Sequence, residues 1–242
     1  MSAQPILGAR AMVASALSAA ADWLVEPADL ATTSEPHGTS LTERPVVAVV
    51  GLAPRSGATT VARALGVELA ARDPAGACAV TAGWGGGSVP LGLPASGRLA
   101  RKLGAVAGAR TKTCGRLCLV DCPDRAALAG ALLYLAPLVL DVAEPGEASS
   151  AAALADEVVL VGTPPLEPAL AAVMSESLTR VGPEPQILLN RALDDDGPWS
   201  GRASLELPES RLGAQLALAG REPRGELGRA VSALADRARR RP

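Results

Sequence analysis

Ten residues, Gly51-Leu-Ala-Pro-Arg-Ser-Gly-Ala-Thr-Thr60, carry the densest chemistry in the sequence. They join a β-branched run, Val46-Val47-Ala48-Val49-Val50, to a segment with Val61, Leu65 and Leu69 at helical spacing. A glycine-bearing turn at a helix start gathers unpaired backbone N–H groups and the positive end of the helix dipole. Together these can hold phosphate oxygens. The hydroxyl of Thr59 falls where a Ser or Thr binds Mg²⁺ beside such a phosphate. A plain turn from strand to helix accounts for the same residues, so two readings stand at this point: a degraded nucleotide site, or a connection only.

Other reactive side chains are few. The single histidine, His37, lies in a polar stretch rich in Pro and Gly, which leaves a histidine general base without a candidate. Cys114, Cys118 and Cys122 fall four apart with no histidine near them, a poor match to zinc-binding spacing. The reading preferred is Cys118 as a small apolar strand residue with Cys114 and Cys122 at its ends. Two acids close apolar runs: Asp121 in Leu119-Val-Asp-Cys-Pro, and Asp141 in Leu138-Val-Leu-Asp-Val-Ala-Glu-Pro-Gly. An Asp at a strand's carboxyl end beside a phosphate loop can hold Mg²⁺ through water; one that caps the next helix has the same local form. Asn190 closes Gln186-Ile-Leu-Leu-Asn and can equally be a strand-terminal residue.

The elements that must position these residues alternate. The sequence predicts strands over 46–50, 77–82, 116–120, 138–141, 157–161, 186–189 and 204–207. Helices are predicted over 58–72, 125–135, 148–155, 168–181 and from 224 to about 239. Residues 83–97, rich in Gly and Pro, read as a long loop. Alternation of this kind, with strands apolar on both faces, predicts a three-layer α/β domain over 45–242 built on a mostly parallel sheet. Before it come a short amphipathic helix within 1–25, with Ile6, Val13, Leu17 and Leu24 on one side, and a flexible linker over 26–44. Ala19-Ala20-Ala21 has the form of a signal-peptidase site. Arg10 as the only preceding cation and a serine-broken apolar stretch favour the amphipathic helix instead.

Taken in order, these segments resemble the MinD/ParA/CobQ group of P-loop NTPases. Gly57-x-Thr59-Thr60-Val61-Ala62 resembles the end of that group's KGGxGKTT loop. Asp141 and the Pro145-Gly146 segment after it resemble its acid-ended strand and switch segment. Residues 155–165, from Ala155-Asp156 into an apolar strand and two prolines, resemble the next strand of the group, and for that reason Asp141 is preferred to Asp121. Asn190-Arg191 resembles the group's strand ending in Asn-Arg, whose Asn lies near the adenine base. Leu207-Pro-Glu-Ser210 with Gly213 and Gly220 resembles its closing pattern. The resemblance implies a doubly wound sheet, ATP and Mg²⁺ as ligands, Arg55, Ser56, Gly57, Ala58, Thr59, Thr60 and Asn190 about the nucleotide, and Thr59 with Asp141 at the metal. It implies Asp141 as the acid of the catalytic site.

The loop departs from the group's pattern in ways that matter. Ala53 stands for the signature lysine, Pro54 and Arg55 for two glycines, and Ala58 for the Walker A lysine. The ending Gly-Ala-Thr-Thr-Val-Ala resembles the CpaE/TadZ branch of pilus-assembly proteins. Pro54 donates no N–H, Arg55 puts a side chain where backbone must come close, and Ala58 removes a charge contributing roughly 1.5–3 kcal/mol to phosphate binding. Arg55 can replace that charge only with different geometry. The group's Asp-x-Asp on the second strand is replaced by Thr81-Ala-Gly-Trp84, and the lysine that would reach a dimer partner's nucleotide is missing.

Composition sets the remaining bounds. There is no Phe, one Tyr and three Trp, so Ala, Leu and Val must build the core. A net charge of -2 with no basic field argues against a dedicated nucleic-acid binder. No apolar run reaches the 18 residues of a membrane span, and a cytoplasmic location is expected. MinD-like proteins use a C-terminal amphipathic helix on lipid, and Leu227, Val231 and Leu234 make an apolar stripe here. Packing of that stripe on the sheet is the preferred reading over peripheral membrane contact. The favoured function is a regulatory, positioning or assembly factor of pilus, secretion or division type, with weak or absent ATP hydrolysis, protein partners and a homodimer as its implied associations. An active ATPase or CobQ-type ligase, and a scaffold binding no nucleotide, are the alternatives.

Overall fold

The computed structural model describes residues 44–81, 93–94, 110–114, 116–122, 128–129, 136–142, 145–192 and 197–240. The expected helix within 1–25 and nearly all of the 26–44 linker lie outside these residues. So do most of the 83–97 loop and of the 125–135 helix, of which Leu128 and Ala129 are helical and buried.

Among the described residues nine strands form one sheet. They are β1 (Val46–Gly51), β2 (Ala77–Thr81), β3 (Leu93–Pro94), β4 (Arg110–Cys114), β5 (Leu117–Asp121), β6 (Leu138–Val142), β7 (Glu157–Gly162), β8 (Gln186–Ala192) and β9 (Leu205–Pro208), in the order β3-β4-β5-β2-β6-β1-β7-β8-β9. All pairings from β5 to β9 are parallel; β4 runs antiparallel to both β3 and β5. The helices are α1 (Ala58–Arg72), α2 (Ala148–Leu154), α3 (Pro168–Thr179), α4 (Arg211–Leu218) and α5 (Gly225–Arg240). The expected α/β fold with a mostly parallel sheet is therefore present. The antiparallel edge β3–β4 and helix α4 add to it; β3 lies inside the stretch expected to be loop.

Side chains alternate along β1 between two apolar layers. Val47 and Val49 face a layer built with α1, α4 and α5, while Val46, Ala48 and Val50 face one built with α2 and α3. Small residues make this close stacking work without phenylalanine: a Cβ added at Gly66 of α1 would stand 2.8 Å from Leu117 Cδ1 on β5. The stripe proposed for lipid is part of the first layer. Leu227, Val231 and Leu234 are all buried there, so α5 spends its apolar face on the core. Among the described residues no helix is long and apolar enough to cross a membrane.

Candidate functional site

The glycine-bearing turn leaves β1 in one apolar layer and enters α1 in the other. Leu52 is buried in the α2–α3 layer and donates its backbone N–H to Val161 O on β7 (3.0 Å); Ala58 is buried in the α1 layer. Ser56 N–H donates to Ala53 O (3.2 Å), closing a four-residue turn with Pro54 and Arg55 at its exposed tip. Arg55 has φ 65°. That sign at the third position, after proline, is the signature of a type II turn, which glycine normally fills. An arginine there costs about 1–2 kcal/mol.

Gly57 is the N-cap of α1, with φ 93° and no side-chain cap. No acid occupies the first turn of the helix either. Its leading amides are thus not covered by the helix's own cap, and the dipole's positive end is not offset. Ser56 is buried, and its Oγ lies 2.8 Å from where a Cβ on Gly51 would stand, so this hydroxyl packs beneath the loop. Thr59 and Thr60 are half-buried on the opening turn of α1.

Asp141 is placed by register. β6 is the immediate parallel neighbour of β1, with Asp141 opposite Val49, two residues short of Gly51 where the loop begins. Its side chain falls on the face shared by Val139 and α1, and it is 2% exposed. Loop and acid therefore share one rim of the sheet, and the acid lies on the face where the loop enters α1. Asp121 closes a strand that is separated from β6 by β2, and pairs with Arg110.

From the other side, β8 brings Asn190 to the loop. Its side-chain amide donates to Ser56 O at 2.8 Å. Between the N-termini of α1 and α4 a cavity of about 160 Å³ is lined by Gly57, Thr60, Asn190, Arg191, Leu207 and Ser210, among others. That is smaller than the roughly 300–1,000 Å³ of pockets that enclose a drug-sized ligand. Ser210 is occupied as the N-cap of α4, its hydroxyl accepting from Gly213 N–H at 3.1 Å. Arg191, with φ 61°, and α4 itself had no place in the sequence expectations for the site. A Ser immediately before an apolar-periodic segment was the available signal for α4. Trp199 is a further support: fully buried, it donates its indole N–H to Leu166 O (2.8 Å), and its ring packs against Gly162 and near Leu52 at the loop's start.

Cys118 lies within β5, while Cys114 closes the neighbouring strand β4 rather than the end of β5 where it was expected. Cys78 and Cys118 lie directly opposite on β2 and β5, buried, with Cys122 also buried. A hydrogen bond to Cys118, together with burial, holds the Cys78 thiol well above the ordinary thiol range. Among the described residues no group of three or more His, Cys, Asp or Glu could hold a metal ion.

The arrangement defines the protein's class by fold: a three-layer α/β domain with a turn from its first strand into a helix and an acid on the neighbouring strand. A ParA family ATPase from Chlorobium tepidum TLS is similar in structure, with TM-score 0.51 and 18% identity over 79% of this chain and 97% of that one. MinD in the MinC:MinD cell division complex of Aquifex aeolicus gives TM-score 0.52 and 16% identity over 82% and 97%. The fold is that of the ParA/MinD P-loop NTPases. No protein-family model matches the chain, and neither does any curated protein.

Proposed function

We propose that this chain is a MinD/ParA-like assembly, positioning or regulatory factor that binds a nucleotide weakly and turns it over slowly or not at all. One observation carries the reading. The exit loop of β1 and the buried carboxylate of Asp141 lie at the same rim, on adjacent parallel strands, with Asp141 on the face where the loop enters α1, while position 58, where the group has lysine, is a buried alanine.

The residues present fit a nucleotide in part. The uncapped start of α1 at Gly57–Thr60 suits phosphate oxygens. Thr59 and Asp141 would hold Mg²⁺, whose charge would offset that of the phosphates. The cavity beside Asn190 is sized for the base. Pro54 offers no N–H, and Arg55 is exposed at the turn's tip, so the loop contributes fewer donors than an all-glycine turn. A site that retains affinity and lacks the lysine suits a protein that signals its nucleotide state to others. The Aquifex aeolicus MinD is seen bound to MinC, and protein partners with a homodimer are the associations proposed here, in the cytoplasm.

Titration of the full chain with ATP and Mg²⁺, followed by calorimetry, tests this. Saturable binding in the high-micromolar range is expected, with Thr59→Ala abolishing the Mg²⁺ dependence and turnover near background. Absence of binding at millimolar ATP would leave only a scaffold; rapid turnover would make the chain an ordinary ATPase.

A further inference from the structure

Arg55 and Arg191 are the only non-glycine residues with positive φ among the described residues; Arg55 lies in the loop, and Arg191 lines the cavity beside Gly57. Arg55 is explained by its turn. Arg191 lies in β8, where pairing with β9 slips. Asn190 stands opposite Leu207, and Ala192 opposite Pro208, leaving Arg191 as the extra residue of a bulge. Strain of this kind persists where surrounding structure imposes it, and a bulge re-aims the side chains around it. The side chain beside this one is Asn190, whose Nδ2 donates to Ser56 O at 2.8 Å. A carbonyl can only accept, so the amide's orientation is fixed by chemistry.

The next peptide unit shows what the contact does. A trans peptide points its C=O and N–H in opposite directions. With Ser56 C=O held toward β8, the N–H of Gly57 is turned away from it. Gly57 is shaped to permit this: a Cβ there would stand 2.2 Å from Asn190 Nδ2, and φ is 93°. The backbone angle favours glycine at this position, and a Cβ there would displace the Asn190 amide.

We infer that the Arg191 bulge and the Asn190 amide form a latch on the Ser56–Gly57 peptide, which makes Asn190 a positioning residue that sets the direction of the loop's last amide. The inference about loop geometry stands on the contacts alone; its consequence for ligand affinity rests on the nucleotide reading above.

Amide hydrogen exchange on the full, ligand-free chain tests the latch. The Ser56 and Val61 amides bond Ala53 O and Gly57 O within the loop and first helical turn. In Asn190→Ala their exchange should rise at least tenfold while amides of β7 and α5 keep their wild-type rates. Asn190→Asp, close in shape, should behave the same way, because its oxygens meet an acceptor. Arg191→Val, which resists positive φ, should reproduce the effect, whereas Arg191→Gly should not. The double variant Asn190→Ala/Arg191→Val should be no worse than Asn190→Ala, since both act on one contact. Unchanged loop exchange in Asn190→Ala, or additive effects in the double variant, would overturn the latch. If Asn190→Ala does not fold, the Arg191→Val and Arg191→Gly pair decides alone: equal exchange in the two rejects it. Mg²⁺-ATP affinity, expected to drop about tenfold in Asn190→Ala, separates the two claims. Wild type that binds no nucleotide but shows the exchange pattern sinks the nucleotide reading and keeps the latch.

Discussion

Asp121 and Asp141 end parallel strands two places apart in the sheet, both almost fully buried. Their local sequences are nearly interchangeable, yet their surroundings are not. Beyond Asp121 the sheet turns antiparallel, and β4 sets Arg110 directly opposite it, where the two pair. Asp141 has parallel strands on both sides and stands opposite Val49 and Thr81, neither of which brings a charge. An acid beside the hairpin edge sits opposite a cation; an acid beside the loop-bearing strand sits next to the rim where a helix start concentrates positive potential. Topology, more than strand chemistry, separates the two.

Exchange of each carboxylate for an amide should split them most sharply. Asp141→Asn is expected to remove the Mg²⁺ dependence of nucleotide binding, with a loss of tenfold or more by calorimetry. Asp121→Asn should leave that binding within twofold and lower stability by about 1 kcal/mol or less, since Arg110 is largely exposed. Equal effects of both on binding would erase the distinction. Next in size is repair of the loop: Ala58→Lys combined with Pro54→Gly and Arg55→Gly should tighten ATP binding by roughly tenfold or more, from a charge-assisted contact of about 1.5–3 kcal/mol, and should do so only with Asp141 intact. No gain would mean that the rim near Asp141 is not a vestigial phosphate site.

The smallest effect concerns the strand between the two acids. Cys78 on β2 has a raised pKa in the folded chain, whereas the unfolded thiol ionises near 8.5. At Cys78 the folded state then keeps a proton that the unfolded state loses, so this thiol's contribution is full below that pH and declines above it, by at most about 1.4 kcal/mol per unit, while its partner Cys118, lowered by the same bond, acts in the opposite direction. Urea midpoints at pH 7 and 9.5 should converge between wild type and Cys78→Ala if this thiol is responsible.

Much of this frame was legible because its signals are local. The β-branched run of β1 and the spacing of Val61, Leu65 and Leu69 in α1 place the loop between them to within one residue, since β1 extends to Gly51. β4 escaped because Arg-Thr-Lys-Thr carries no apolar alternation: Arg110 is exposed and the next three residues are half-buried, so no buried face imposes one. The bulge at Arg191 left no trace in sequence: it exists only in the register of β8 against β9. The Asn190–Ser56 contact spans 134 positions, and nothing in either segment announces the other. Asp141 could be preferred over Asp121 from the residues C-terminal to it, but the reason for the preference, its adjacency to β1, belongs to strand order.

Trp199 gives the molecule an optical handle on its own rim. An indole sealed from solvent, with its N–H engaged by Leu166 O and its ring beside Gly162 and Leu52, emits toward the blue and shifts when its enclosure loosens. Any rearrangement that lifts Leu52 would change that emission, so the chain carries an internal fluorophore at the root of the turn without a label being attached.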